Sequence, residues 1–349
     1  MDAMKKTKSF ILIITTAILF YNCESNTEDL TTDPIGEPQE DSVLNRNLSF
    51  EEVYAFEDDL LGGPYIGMTY SSNDNNLFIS SRENAPAGST TEEEVFKLSL
   101  DSYQLMRKNV SPGGFITKQL TTINDTLVSI GGTEFKFYDT SFEYAGEKSY
   151  GNNFTLSKFG IATHNNDTYI IGGYRVDGPS RENKKIRKLR GNITGNQFEE
   201  FINTSETMIG ASGAIVNERL HVFGGALYED FEATNKIFIY PLNNPQSYEE
   251  FSMTVKADVT FVHKYGEMII VAGYKGLYSG DKTSFVGVFN TTTNTFEEIE
   301  TNLDSEGGTK AIHQMIVKED KIIVLFGHKA SSQLPMSMWS ILSADLLKD

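Results

Sequence analysis

Six short apolar runs punctuate the chain, each led by a polar turn and closed by small residues. They are "NDNNLFISS" (73–81), "INDTLVSIGG" (123–132), "NNDTYIIGG" (165–173), "VNERLHVFGG" (216–225), "KYGEMIIVAG" (264–273) and "KEDKIIVLFG" (318–327). The Asn, Asp, Gly and Glu of the turns suit tight hairpins, and the β-prone runs suit inner strands buried on both faces. A second apolar stretch precedes each turn, as in "GIAT" (160–163), "SGAIV" (212–216), "VTFV" (259–262) and "HQMIV" (313–317). A third follows after a loop, as in "EVFKLSL" (94–100), "KIRKL" (185–189), "KIFIYPL" (236–242) and "FVGVF" (285–289). The fourth opens on an acidic-aromatic tetrapeptide: Phe198-Glu199-Glu200-Phe201, Tyr248-Glu249-Glu250-Phe251 and Phe296-Glu297-Glu298-Ile299. Marked by the last small residue, the unit ends at 81, 132, 173, 225, 273 and 327. The period of roughly fifty residues predicts an all-β array of four-stranded units.

The double glycine stands at 131–132, 172–173 and 224–225, weakens to Ala272-Gly273 and Phe326-Gly327, and is replaced by Ser80-Ser81 in the first unit. Four strands per repeat, with small residues closing the second, resemble the kelch repeat of β-propellers over residues 48–349. The later Tyr and Trp of that family are present only as aromatics, Phe289 and Phe296 in one unit and Tyr240 and Tyr248 in another, while Trp339 sits in the third strand of the last. The resemblance implies a six-bladed kelch-type β-propeller with four antiparallel strands per blade. The last unit supplies three strands, "HQMIV", "KIIVLF" and "MWSILSAD" (338–345), before Asp349. Its missing strand is the one that carries the acidic-aromatic motif, and a spare copy stands at "SFEEV" (49–53). The N-terminal strand near 48–56 is therefore expected to close the last blade; an open solenoid would leave the spare copy unexplained. The glutamates read as charges on exposed outer strands, where they discourage edge pairing, and the flanking aromatics as packing between blades.

Residues 1–22 read as a signal peptide: Lys5, Lys6 and Lys8 precede the apolar "FILIITTAILFY" (10–21), too short for a comfortable membrane span. Cys23, the single cysteine, follows at once and cannot form an internal disulfide. Its place resembles the lipobox of bacterial lipoproteins of a Bacteroidota-like kind, which implies a lipidated Cys23; Asn22 departs from the small residue usual there. Residues 24–47 carry seven acidic residues and two prolines and read, with Cys23, as a disordered tether. The expected domains are thus 1–22, 23–47 and 48–349. The expected place is the outer membrane or cell surface, with a periplasmic or secreted protein as the alternative. A net charge of −18 repels phosphate backbones, so no nucleic acid is expected as a partner. The expected partners are a glycan or an envelope protein, and the propeller is expected to be monomeric.

Antiparallel geometry puts the second-to-third and fourth-to-first connections on one side of each blade. The second-to-third loops are long, at 82–93, 174–183, 226–234, 274–283 and 328–337, and long loops on a rigid scaffold are the usual place for binding groups. The positions just after the marks, Arg82, Thr133, Tyr174, Ala226, Tyr274 and His328, should ring the mouth of the central channel. "SREN" occurs twice in these loops, at 81–84 and 180–183. Arg82, Glu83, Tyr174, Arg181, Glu182, Tyr274 and His328 are accordingly the ligand-binding candidates, through ring stacking and forked hydrogen bonds. Solvated Arg-Glu pairs of little energetic weight are the plainer reading of the "SREN" motifs. His164 and His263 fall beside tight turns, His221 inside a second strand, and His313 and His328 toward the long loops; two histidines without carboxylates make a poor metal site. No metal and no cofactor is expected. Copper-radical oxidases share the kelch fold, but their cofactor requires a cysteine inside the domain. The reading favours a surface binding module. A sugar-modifying enzyme such as an epimerase or mutarotase acting on sialic acid is the alternative, and a structural subunit of an envelope complex a third; no catalytic residue is assigned.

Overall fold

The computed structural model describes residues 44–57, 62–71, 75–82, 92–112, 119–123, 126–130, 134–139, 143–149, 156–165, 167–175, 183–189, 198–206, 208–276, 281–303, 310–328 and 338–348. Cys23, the expected signal peptide and nearly all of the expected tether lie outside them. The chain from Ile35 onward is one compact unit. Its described strands form six four-stranded antiparallel sheets, the blades of a β-propeller. Blade 1 holds Gly62–Ser71, Asn76–Arg82, Glu92–Ser99 and Leu105–Pro112. Blade 2 holds Gln119–Ile123, Thr126–Ile130, Glu134–Tyr138 and Tyr144–Ser149, and blade 3 Gly160–His164, Asp167–Ile171, Lys185–Leu189 and Phe198–Asn203. Blade 4 holds Ser212–Val216, Arg219–Phe223, Thr234–Pro241 and Glu249–Ala257; blade 5 holds Val259–Tyr265, Met268–Lys275, Thr283–Asn290 and Thr295–Thr301. Blade 6 takes Ala311–Lys318, Lys321–His328 and Met338–Asp345 from the end of the chain and Glu51–Ala55 from its start. The first strands touch one another in cyclic order, blade 6 meeting blade 1, so the ring is closed.

Each junction between blades has its own apolar core. Ile130, Phe135 and Phe159 lie between blades 2 and 3, Tyr169, Ile171 and Leu220 between 3 and 4, and Phe223, Ile269 and Phe289 between 4 and 5. Single strands could not bury both faces alone; stacking neighbours around a ring does so for every blade. The acidic-aromatic motif sorts as its chemistry requires. All eight glutamates, including Glu51 and Glu52, are exposed, whereas Phe50 and Phe296 are buried at blade junctions. The glutamates also find cations: Glu200 pairs with Lys185 and Glu250 with Lys236, both on the adjacent third strand.

The closure engages more of the N-terminus than one strand. Leu44 bridges to Leu347, and Asn47–Leu48 lies parallel to the outer strand of blade 5, opposite Glu300 and Thr301. The Asn302 side chain then holds the backbone of Phe50 like a further strand residue, its Oδ1 accepting from Phe50 N at 2.8 Å and its Nδ2 donating to Phe50 O at 3.1 Å. From Glu51 the chain crosses to blade 6 and pairs with Ser343 and Leu342, and Phe56 N donates to Trp339 O at 2.9 Å. Residues 44–56 therefore strap blades 5 and 6 together, and among the described residues the contacts include Leu44 and Asn45, ahead of the expected start at 48.

The double glycines of blades 3 and 4 have a steric cause. Gly172, Gly173, Gly224 and Gly225 all have left-handed backbones, with φ of 59°, 79°, 56° and 95°. Two such residues in a row turn the chain off the sheet, so that Gly173 N reaches Met208 O at 2.8 Å and Gly225 N reaches Ala257 O at 3.0 Å. Blade 5, with Ala272-Gly273, lacks that pair of turns, and its second strand runs on to Lys275.

His221 is buried in the second strand of blade 4, with Nδ1 2.9 Å from Arg219 O and its ring against Phe289. Burial, helped by the Arg219 charge, pushes its pKa down to about 4 from an ordinary 6.5. The unfolded chain protonates this histidine first, so the stability it contributes is present above 6.5 and is lost as pH falls toward 4. Urea unfolding at pH 7 and pH 4.5 is expected to differ by about 2–3 kcal/mol on this account. His221→Gln should remove that part of the difference; an unchanged difference would mean that His221 does not set it.

Candidate ligand site at the long-loop face

The two faces of the ring are built differently. On the tight-turn face, hydrogen bonds tie the turns together at four successive junctions, from blade 3 round to blade 1. His164 Nε2 lies 2.8 Å from Glu218 Oε1, joining blades 3 and 4. Asn217 Nδ2 donates to Glu267 at 2.6 Å across blades 4 and 5. Tyr265 Oη donates to Asp320 at 2.6 Å across blades 5 and 6, and Lys318 Nζ donates to Asn75 across blades 6 and 1. Burial, then the bond to Asp320, raises the Tyr265 phenol far above its usual value. The turns themselves are short; Asn217 and Glu218 both adopt left-handed φ, as a two-residue hairpin turn requires.

The opposite face carries the long loops and the entries to the first strands. Glu83, Arg181 and Glu182 lie outside the described residues. Arg82 ends the second strand of blade 1 opposite Gly62 and Glu93, and His328 ends that of blade 6 opposite Met338; the backbone alone of both is described. Tyr174 is half-buried and pairs with Ser157 in a short ribbon beside blade 3. Tyr274 is next to last in the second strand of blade 5 and is 8% exposed. Its ring lies 5.7 Å from that of His313, which meets Trp339 edge-on at 4.7 Å. Tyr274 is thus part of an aromatic wall between blades 5 and 6 rather than an open platform. In the second "SREN" segment, Asn183 is buried, donates through Nδ2 to Gly172 O and accepts from Arg187 at 3.0 Å. That residue braces the glycine turn.

Three charged side chains at this face escaped the sequence reading. Lys158, Gly210 and Asp258 occupy equivalent places, two residues before the first strands of blades 3 and 4 and immediately before that of blade 5. Their backbones form an arc: Gly210 N donates to Lys158 O at 2.8 Å, and Thr260 N donates to Gly210 O at 2.9 Å. A side chain at Gly210 would meet Asp258 O at 2.6 Å. Asp258 is buried, and its Oδ2 accepts from Gly276 N at 2.6 Å. Lys282, from the far end of the blade 5 loop, holds its ammonium 5.4 Å above the Tyr274 ring. Burial lowers the pKa of both lysines; for Lys158 the neighbouring Lys282 charge adds to the effect and Asp258 opposes it, leaving it at about 8. A comparison of the repeat at the position before each first strand, where Lys and Asp stand in place of Gly, is the signal that could have found them.

Among the described residues no group of three or more His, Cys, Asp or Glu converges as metal ligands, and no helix is long and apolar enough to cross a membrane.

No family model matches the chain, and no curated protein matches it either. Solved structures do: one titled "Structure of YjhT" superposes with a TM-score of 0.54 at 10% identity, covering 67% of this chain and 83% of that one. At that identity the likeness concerns the fold. Matches extend to 736 solved chains, so the architecture is widely shared and does not select an activity.

Proposed function

We propose that this chain is an envelope- or surface-anchored lipoprotein whose kelch-type propeller binds a ligand, a glycan or a protein, at its long-loop face. The observation that supports this most is the asymmetry of the ring. The tight-turn face is spent on bonds between blades, from His164–Glu218 round to Lys318–Asn75. The other face holds the long loops, Tyr174, and the charged arc of Lys158 and Asp258 with Lys282 beside it. Membrane attachment would come through lipid on Cys23, with the acidic residues of 24–47 as spacer.

A second reading is favoured by one observation. A buried carboxylate, Asp258, beside lysines whose ammonium forms are disfavoured is an arrangement that could move protons on a bound sugar. On that reading the protein is an epimerase or mutarotase acting on an acidic sugar such as sialic acid. A glycan array and a sialic acid anomer-exchange assay on the chain carrying Cys23→Ser separate the two. Binding without exchange, weakened at least tenfold by Tyr174→Ala, is expected for the binding module; faster exchange marks the enzyme. Absence of any ligand, with envelope proteins co-purifying, points instead to a structural subunit.

A further inference from the structure

The strap fixes the side from which the N-terminal chain reaches the ring. Leu346 N donates at 2.7 Å to the carbonyl of Asp320, which lies in the turn between the first and second strands of blade 6 and takes the Tyr265 hydroxyl there. Asn45 N donates in turn to Leu346 O at 2.7 Å, and Leu44 bridges to Leu347. Leu44 and Asn45 therefore sit on the tight-turn side, and every residue ahead of them, Cys23 included, joins the ring from that side. The connections from third to fourth strand lie there too, because each third strand ends opposite the start of a second: Ser99 faces Asn76, Tyr138 faces Leu127 and Pro241 faces Arg219. Tyr103, Met106, Tyr144 and Tyr248 stand in these connections or at the starts of the fourth strands of blades 1, 2 and 4, and all four are exposed. The other large apolar side chains exposed among the described residues, Phe231 and Met338, lie on the long-loop side. A phenol joins an apolar ring to a hydroxyl that stays wet, which is why tyrosine collects at the boundary between lipid headgroups and acyl chains.

We propose that the tight-turn side is a membrane-facing surface: Tyr103, Met106, Tyr144 and Tyr248 rest on a zwitterionic lipid surface, and the long loops open away from it. The proposal rests on the reading of a chain anchored at Cys23, and adds which side of the ring meets the lipid. A net charge of −18 is repelled by anionic headgroups, so a zwitterionic surface is the one that fits. A few exposed rings hold lipid weakly by themselves. An anchor that enters from the same side keeps them at high effective concentration against the bilayer. The long-loop face then receives its ligand from the aqueous side, unobstructed by the attachment.

The test is fluorescence quenching on phosphatidylcholine vesicles whose headgroups carry a nitroxide. The full chain is coupled to a maleimide-bearing lipid through Cys23, its single cysteine, so attachment does not depend on cellular lipidation. Two tryptophan reporters are matched. Tyr103→Trp and Phe231→Trp each replace an exposed ring, 45% and 38% accessible, on a left-handed backbone with φ of 54° and 57°; the native Trp339 is buried. Strands such as the eight-residue Lys321–His328 separate the two sides by about 25 Å, so a quencher at the lipid surface distinguishes them. Quenching at position 103 is expected to exceed that at position 231 at least threefold. Adding Tyr144→Ser and Tyr248→Ser should cut the quenching at 103 at least twofold while the melting of the chain stays cooperative. Equal quenching at the two positions, stronger quenching at 231, or no effect of the two serines overturns the proposal. The mass of Cys23 recovered from cell membranes keeps this separate from the anchoring reading. Equal quenching with a lipid-modified Cys23 removes the orientation and leaves the anchor. Quenching that favours 103 with an unmodified Cys23 leaves the lipid-facing surface and removes the anchor.

Discussion

Deleting residues 44–56 is expected to abolish cooperative folding, not to trim one edge of the protein. That segment buries Leu44, Leu48, Phe50 and Phe56. Full burial of such side chains is worth roughly 1.5–3 kcal/mol each, so about 6–12 kcal/mol goes with the strap. A domain has only about 5–15 kcal/mol of net stability to lose. The strap also supplies the outer strand of blade 6 and a parallel strand on blade 5, so its loss leaves two hydrogen-bonding edges bare. Leu48, fully buried, isolates the packing contribution: Leu48→Ala should cost about 2–5 kcal/mol. Glu51→Ala, on the exposed side of the same segment, should stay within about 0.5 kcal/mol. Urea unfolding followed by the fluorescence of Trp339, the only tryptophan, reports both. Equal effects from the two substitutions would mean that the packing has been misjudged.

Gly172→Ala should be nearly as damaging for a different reason. A methyl there would stand 2.0 Å from Met208 O, which is backbone and cannot swing aside. The left-handed φ of 59° adds strain of order 1–3 kcal/mol for a residue with a Cβ. Moving the chain away breaks the Gly173 N to Met208 O bond, about 1–3 kcal/mol when buried. The expected total is about 2–6 kcal/mol, with the junction of blades 3 and 4 loosened first. Gly146 offers a control, because it also has positive φ but nothing lies within 4 Å of its added methyl; Gly146→Ala should cost the backbone strain alone, about 1–3 kcal/mol. Hydrogen exchange at Gly173 locates the damage. Unchanged protection there would contradict the steric explanation.

The ring was legible because its cause is periodic. Buried inner strands, left-handed turns and exposed outer strands each demand a residue type, and the demand recurs about every fifty residues. The closure could be read from one spare tetrapeptide, since a missing strand and an extra one must match. The extension of the strap onto blade 5 could not. It depends on Leu44 and Leu48 finding a junction and on Asn302 imitating a strand, and none of these belongs to the repeat. The site was less legible still. Aromatic and Arg-Glu pairs drew attention to the loops, whereas Lys158 and Asp258 stand where the repeat looks plain. Their backbones are joined only through Gly210, which bonds to Lys158 on one side and to Thr260 on the other, and no local pattern encodes that link. Asn183 shows the converse: its motif suggested a ligand, and its side chain holds the Gly172 turn.

The closed ring underlies everything else, because it sets which loops share a face and which residues meet at the mouth. Its most direct test is a disulfide between positions 51 and 343, which lie opposite each other on Glu51–Ala55 and Met338–Asp345. Glu51→Cys and Ser343→Cys are introduced together with Cys23→Ser, so that no other thiol competes. Mild oxidation should give a single intramolecular bond in the monomer, detected by peptide mass after digestion without reduction. Thiols that stay free, or that link only between molecules, would contradict the closure.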